Sequence, residues 1–382
     1  MAYLGEREAR LTFGAKLLEI NWGFVFLIVL TASVGLAMLY SAAGGSFEPW
    51  ATRQVIRLGA GLAVMLLVAL VDIRVWLRYA YVTYGLALAM LAAVELIGYV
   101  GMGAQRWIDL GIFNLQPSEV MKIALVLALA RYFHGLSLDE IGRLRWLVVP
   151  AALVGAPVAL VLRQPDLGTA ILLMLGGGAL FFLAGVRIWK FAVAALGVGA
   201  ALPIAWQYLQ DYQKERIFTF LNPERDPLGA GYHILQSKIA FGSGGILGKG
   251  FLQGTQSHLS FLPEMRTDFI FTMLAEELGM VGGLALLGLY VVLLAYGFAI
   301  GLRARSQFAR LLALGVTTTL FLYVFINIAM VMGLIPVVGV PLPLISYGGT
   351  AMMTLLIGFG LLISVSIHRD VVIPRRGGLA GG

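Results

Sequence analysis

WGFVFLIVLTASVGLAMLYSAA, Trp22–Ala43, runs for 22 residues without a charged side chain. A bilayer core about 30 Å thick is crossed by about 20 helical residues rising 1.5 Å each. The run is too long for the apolar core of a cleavable signal peptide, and none is expected. In lipid every backbone N–H and C=O must find its partner within the protein, so a lone spanning segment is a helix. Hydropathy predicts ten such helices: 21–43, 54–71, 76–97, 117–134, 147–162, 168–185, 188–208, 269–300, 310–334 and 348–367. Composition agrees: 60% of the 382 residues are hydrophobic and 12% charged, about half the charge of a soluble domain. The 48 glycines suit closely packed membrane helices. The expected fold is an all-α polytopic membrane protein.

Lysine and arginine set the orientation. Sixteen of them, among them Lys16, Arg74, Arg78, Arg131, Lys190, Arg303 and Arg369, fall in the tails and connections on one side. The short connections on the other side carry Arg53, Arg106 and Arg163. The first side is therefore read as cytoplasmic, with a tail over 1–20, a single membrane domain over 21–368 and a second tail over 369–382. The long connection 210–268 lies outside, between the seventh and eighth helices. The net charge of +7 follows from this asymmetry. The basic residues are dispersed and form no stripe with stacking aromatics, so nucleic acid is not an expected partner.

Polar residues concentrate on the outer side, in GMGAQRWIDLGIFNLQPSEVMK (101–122), LRQPDLGTA (162–170), 210–268 and GLIPVVGVPLPLISYGGT (333–350). No nucleoside triphosphate is available there. A synthetic reaction would need a substrate that arrives activated, and a lipid-linked diphosphate is the natural donor. Glu119 and Lys122 are three apart, on one helix face near the outer surface. A charge so placed should face protein or a water-filled cavity, and an ammonium there suits a diphosphate, with Arg106 able to assist. A structural ion pair fits the same spacing. Glu276 reads as a packed, hydrogen-bonded carboxylate.

FLPEMRTDFIF (261–271) sets Glu264, Arg266 and Asp268 at the edge of an apolar run, with Pro263 and Thr267 directing the chain into it. Asp268 can be read as a helix-start carboxylate, favoured by the dipole by about 0.3–1 kcal/mol, or as a reactive group beside an apolar wall. The string GSGGILGKG (242–250) fits neither phosphate-loop spacing, because Ser243 stands where the first glycine of one belongs and Leu247 where the last glycine of the other belongs. It reads as a flexible re-entrant or interfacial turn. Cysteine is absent, which excludes disulfides and thiol catalysis, and the four histidines are scattered.

Five stretches in order resemble the SEDS family (shape, elongation, division and sporulation), and its RodA-like branch more than the FtsW-like one. They are RWIDLGIFNLQPSEVMK (106–122), QPDLGTA (164–170), YQKERIFTFLNPERDPLGAGYHILQSKIAFGSGG (212–245), GTQSHLSFLPEMRTDFIFTMLAEELG (254–279) and PVVGVPLPLISYGGT (336–350). The resemblance covers Trp22 to about His368. It implies ten helices and a peptidoglycan glycosyltransferase. Such an enzyme polymerises lipid II on the outer face of the bacterial plasma membrane during elongation and works with a class B penicillin-binding protein.

By the same resemblance the family's essential aspartate falls on Asp268, and its sensitive glutamate and lysine on Glu119 and Lys122. Many relatives carry histidine before Thr-Asp where this chain has Arg266, which argues against a histidine base. Substrate-binding residues are expected among Glu119, Lys122, Arg106, Gln116, Glu264, Arg266, Thr267, Lys249 and Ser346, with no protein metal site. Asp268 would act as general base in one inverting displacement. Arg106, Lys122, Arg266 or a divalent cation (Mg or Mn) would stabilise the departing diphosphate. A lipid II flippase and a non-catalytic scaffold for the transpeptidase are the rival readings.

Overall fold

The structure, a computed structural model, describes residues 12–101, 104–109, 111, 114–208, 211–222, 230–255 and 264–375. Pro263 of the predicted site segment lies outside the described residues. After a short α1 (Phe13–Leu18), a helix stands at each predicted span: α2 (Trp22–Ala42), α3 (Trp50–Leu70), α4 (Ile73–Ile97) and α5 (Pro117–His134). A one-turn α6 (Leu138–Ile141) precedes α7 (Val148–Arg163), α8 (Leu167–Ala184) and α9 (Ile188–Tyr208). Two helices, α10 (Asp211–Leu221) and α11 (Ala230–Gly244), occupy the long connection. The chain ends with α12 (Ile270–Arg303), α13 (Gln307–Val331) and α14 (Gly349–Ile367). Eight of these helices are long and apolar enough to cross a membrane. Of the other two predicted spans, α5 carries Glu119, Lys122 and Arg131, and α9 is apolar over Ile188–Ala201.

Local chemistry explains the boundaries. Asn21, Asp72, Asp166 and Ser306 each accept a backbone N–H at the start of α2, α4, α8 and α13. Pro117 opens α5, where its missing N–H costs nothing. The second span begins at Trp50 rather than 54, because a first turn at the interface tolerates Arg53. The ninth ends at Val331 rather than 334, because Gly333 turns the chain with φ +70°. An all-helical reading did not anticipate the small antiparallel sheet of β1 (Tyr99–Gly101), β2 (Ala104–Asp109) and β3 (Asn114–Leu115), which fills the connection from α4 to α5.

Helices α5, α13 and α14 form the centre; most of α13 and α14 is buried. Lipid supplies little hydrophobic drive for helix association, so close approach through small residues decides it. A Cβ on Gly35 of α2 would stand 2.6 Å from the Ile345 Cα, and one on Gly360 of α14 would stand 2.6 Å from the Met65 carbonyl of α3. The basic residues assigned to one side do meet at one end. Lys16 reaches the Leu70 carbonyl, Arg131 that of Arg78 and Lys190 that of Gly142.

The string 242–250 is a turn, but a docked one. Gly279 interrupts α12 with φ +66°. The N–H groups of Met280 and Val281 then bond to the Gly245 and Ile246 carbonyls. The N–H groups of Lys249 and Gly250 bond to the Glu276 and Glu277 carbonyls. Four bonds replace the broken helical ladder, so these two N–H groups are not available to a phosphate.

Candidate active site

Asp268 lies one residue before the N-cap of α12, in a turn begun by Glu264 in the left-handed region at φ +54°. The Thr267 hydroxyl donates to the Glu264 carboxylate at 2.7 Å. Three successive carbonyls of the turn are held from outside it. Tyr347 N–H donates to Arg266 O at 2.8 Å, the Ser346 hydroxyl to Thr267 O at 2.6 Å, and the Asn327 amide to Asp268 O at 2.9 Å. Ser346 also accepts the Leu342 N–H at 2.7 Å, and Asn327 also donates to Val340 O at 2.6 Å. The half-buried Asp268 carboxylate lies beside Gly339, whose φ is +70° and where an added Cβ would stand 3.4 Å from Oδ2. The segment 339–347 thus fixes the backbone of Asp268.

Glu119 and Lys122 pair at 2.7 Å and are only 4% and 5% exposed. Glu119 lies in the first turn of α5, where the positive end of the helix favours it. The Tyr323 hydroxyl donates to Glu119 at 2.5 Å and is itself bonded by the Lys122 ammonium, which also lies 4.4 Å from the Tyr323 ring centre. Removing one member of a buried pair costs about 3–5 kcal/mol. The pair borders a cavity of about 30 Å³ lined also by Thr319, Pro341, Pro343 and Ser346. That is room for water rather than for a diphosphate. Tyr323 and Asn327 are one turn apart on α13, so a single helix supports both the ion pair and the Asp268 turn.

Two cations lie at the turn. Arg266 lies over the Trp50 ring at 5.1 Å, and Arg57 lies over the Tyr347 ring at 4.6 Å. Arg57 also packs against Gly349 at the start of α14, a helix with no side-chain N-cap. Its Nη1 is buried without a hydrogen-bond partner among the described residues. Gln54 of the same α3 face donates to Ser346 O at 3.0 Å.

The remaining predicted residues have other partners. Arg106 donates to the carbonyls of Pro165 at 2.6 Å and Gln164 at 3.4 Å, and its Nε is 3.7 Å from Asp166. It ties β2 to the turn between α7 and α8. Gln116 precedes Pro117 as the N-cap residue of α5 without a capping bond. Lys249 pairs with buried Glu276 at 2.8 Å and meets Thr255 at 2.6 Å. Glu276 is therefore the packed carboxylate the sequence suggested, and neighbouring Glu277 accepts the Ser41 hydroxyl at 2.6 Å.

Asp268, Arg266, Thr267, Glu264 and Ser346 thus form one cluster, joined to Glu119 and Lys122 through α13. Arg57, Tyr323, Asn327 and Tyr347 were missed. Polar or charged side chains inside apolar runs were the available signal for Arg57, Tyr323 and Asn327. Among the described residues no three of His, Asp or Glu gather as a metal site.

Residues 20–371 match the FtsW/RodA/SpoVE family, described as cell cycle proteins. The chain is 46% identical over 353 residues to the peptidoglycan glycosyltransferase MrdB of Escherichia coli strain K12, covering 91% of this chain and 94% of the relative. It superposes with a TM-score of 0.80 at 35% identity on a chain of a peptidoglycan synthase complex that coordinates polymerization and crosslinking, covering 92% of this chain and 98% of that one. The crystal structure of the rod shape determining protein RodA of Thermus thermophilus matches with a TM-score of 0.69 at 31% identity, over 92% of this chain and 97% of that one.

Proposed function

The chain belongs to the FtsW/RodA/SpoVE family and is a multi-pass peptidoglycan glycosyltransferase of a bacterial inner membrane, and from that premise we propose that Asp268 is its general base. The observation that carries this reading is the way Arg266 O, Thr267 O and Asp268 O are pinned by Tyr347, Ser346 and Asn327, while the carboxylate lies beside Gly339. A helix-start aspartate has no need of three external hydrogen bonds. A base does, since its position relative to the reacting hydroxyl sets the rate.

In the proposed step the donor is lipid II, with its sugar on an undecaprenyl diphosphate. An acceptor sugar hydroxyl attacks the anomeric carbon. The new C–O bond forms as the bond to the diphosphate oxygen breaks, and the hydroxyl proton passes to Asp268. One displacement inverts the anomeric centre and releases the lipid diphosphate. We assign Arg266 and Arg57 to the charge that develops on the diphosphate. Arg266 lies over Trp50 and Arg57 over Tyr347, and Arg57 adjoins the start of α14, which has no side-chain cap and whose N–H groups favour an anion. Glu119, Lys122 and Tyr323 act in this scheme as supports that hold α5 to α13. Ten crossings, with 210–268 outside, place all of these groups on the outer face.

The partner is a crosslinking enzyme, in this reading a class B penicillin-binding transpeptidase. Likeness to a chain from a complex that couples polymerization to crosslinking supports it.

A pH–rate profile of lipid II polymerisation tests the base. Wild type should lose rate as pH falls and Asp268 takes up a proton. Asp268→Glu should keep an acidic limb at reduced rate, and Asp268→Asn should lose about 10²–10⁴-fold. An unchanged limb in Asp268→Asn would exclude the assignment.

A further inference from the structure

At the end that gathers the lysines and arginines, a groove of about 700 Å³ opens between the start of α2, the second half of α12 and the end of α14. Its end is polar, with Glu19, Asn21, Arg303, Ser366 and Arg369. Along α12 the wall becomes apolar, through Ala299 and Ala295 to Val292 and Val291. Val291 and Arg303 are 12 residues apart, a rise of about 18 Å. Both valines and Leu302 face outward, as does Trp22 at the first residue of α2, and indoles are enriched at membrane–water interfaces. The opposite end of α12 adjoins Asp268, so nothing in glycosyl transfer uses this groove.

Charge complements that shape. Arg303 is exposed and has no ion pair or hydrogen bond among the described residues. Arg369 is divided between Glu19 at 3.7 Å and Asp370 at 3.8 Å, while Arg305 stands 3.4 Å from Asp370. Three arginines thus face two carboxylates across long, solvent-exposed contacts, which hold little energy. A soluble anion would have no use for the apolar wall, and a neutral lipid would have none for Arg303.

We infer that the groove binds an anionic phospholipid of the cytoplasmic leaflet, its phosphate at Arg303 and Arg369 and one acyl chain along Ala299, Ala295 and Val291. Each arginine near such a surface strengthens binding about fivefold.

Native mass spectrometry of the full chain, stripped of lipid in neutral detergent, tests this by titration with phosphatidylglycerol and with phosphatidylcholine. Wild type should prefer phosphatidylglycerol. The double variant Arg303→Gln, Arg369→Gln should lose about 25-fold in that preference. Ala295→Phe, which fills the apolar wall and keeps the charges, should weaken phosphatidylglycerol as well. Glycerol 3-phosphate, carrying the phosphate without acyl chains, should not compete. Both variants should elute and melt as wild type does in neutral detergent. Equal binding of the two lipids by wild type overturns the inference without any variant. Retained preference in the double variant also overturns it, and so does competition by glycerol 3-phosphate.

Discussion

Asn327→Leu removes a side chain that joins the Asp268 turn to both α13 and the 339–347 segment. The amide donates to Asp268 O at 2.9 Å and to Val340 O at 2.6 Å. Leucine has similar bulk and no donor. Two carbonyls, one buried and one partly buried, then lose this donor, at about 1–3 kcal/mol each. Part of this is offset, because the Asn327 Oδ1 is buried without a partner among the described residues and leaves with the amide. A net loss of about 1–4 kcal/mol is expected. Stability is the smaller effect. Once Asp268 O is released, the carboxylate moves with its backbone, and a displacement of about 1 Å costs on the order of 10²-fold in rate. The assay is lipid II polymerisation by purified protein below the variant's melting transition, with the melt recorded in the same detergent. The expected result is a kcat loss much larger than the loss of folded protein. A variant that melts lower but polymerises within about twofold of wild type would show that Asn327 only packs the bundle.

Three further substitutions probe other joints of the site. Tyr323→Phe keeps the ring against Lys122 and removes a hydroxyl bonded to a charged group, so a thermal melt should register about 1.5–3 kcal/mol, less than the about 3–5 kcal/mol lost when Glu119 or Lys122 is removed alone. Gly339→Ala places a methyl 3.4 Å from Asp268 Oδ2 at φ +70°; about 1–2 kcal/mol of backbone cost and a lower kcat at unchanged fold should appear together in melts and turnover. Gly248→Ala brings a Cβ to 2.1 Å from the Glu277 carbonyl at φ +80°, so the docked turn must detach from α12, and protease cleavage within 242–250 should become rapid.

The helices were legible because lipid imposes a length rule that water does not. Trp22–Ala43 was read as a span and the helix is Trp22–Ala42; Pro117 and Gly135 bound the predicted 117–134. Asp268, Glu119 and Lys122 stood out because charges are rare in such a chain. The joints between them were not readable. Ser346 meets Thr267 across 79 positions and Ser41 meets Glu277 across 236, and no periodicity encodes such separations. Tyr323 and Asn327 were hidden in the apolar run LFLYVFINIAM, where they look like two tolerated polar residues until α13 is seen to face both α5 and the Asp268 turn. The break at Gly279 escaped notice for a related reason. A glycine within a span usually serves close packing, and only the string 245–250 lying against it shows that a ladder has been exchanged.

The most direct test compares wild type with Asp268→Asn in lipid II polymerisation, each with the transpeptidase partner added. Both proteins must elute as monodisperse species, melt alike and bind the partner equally. The account predicts glycan from wild type and a loss of at least about 10²-fold in the variant. Equal polymer from the two would reduce Asp268 to a turn residue and contradict the mechanism.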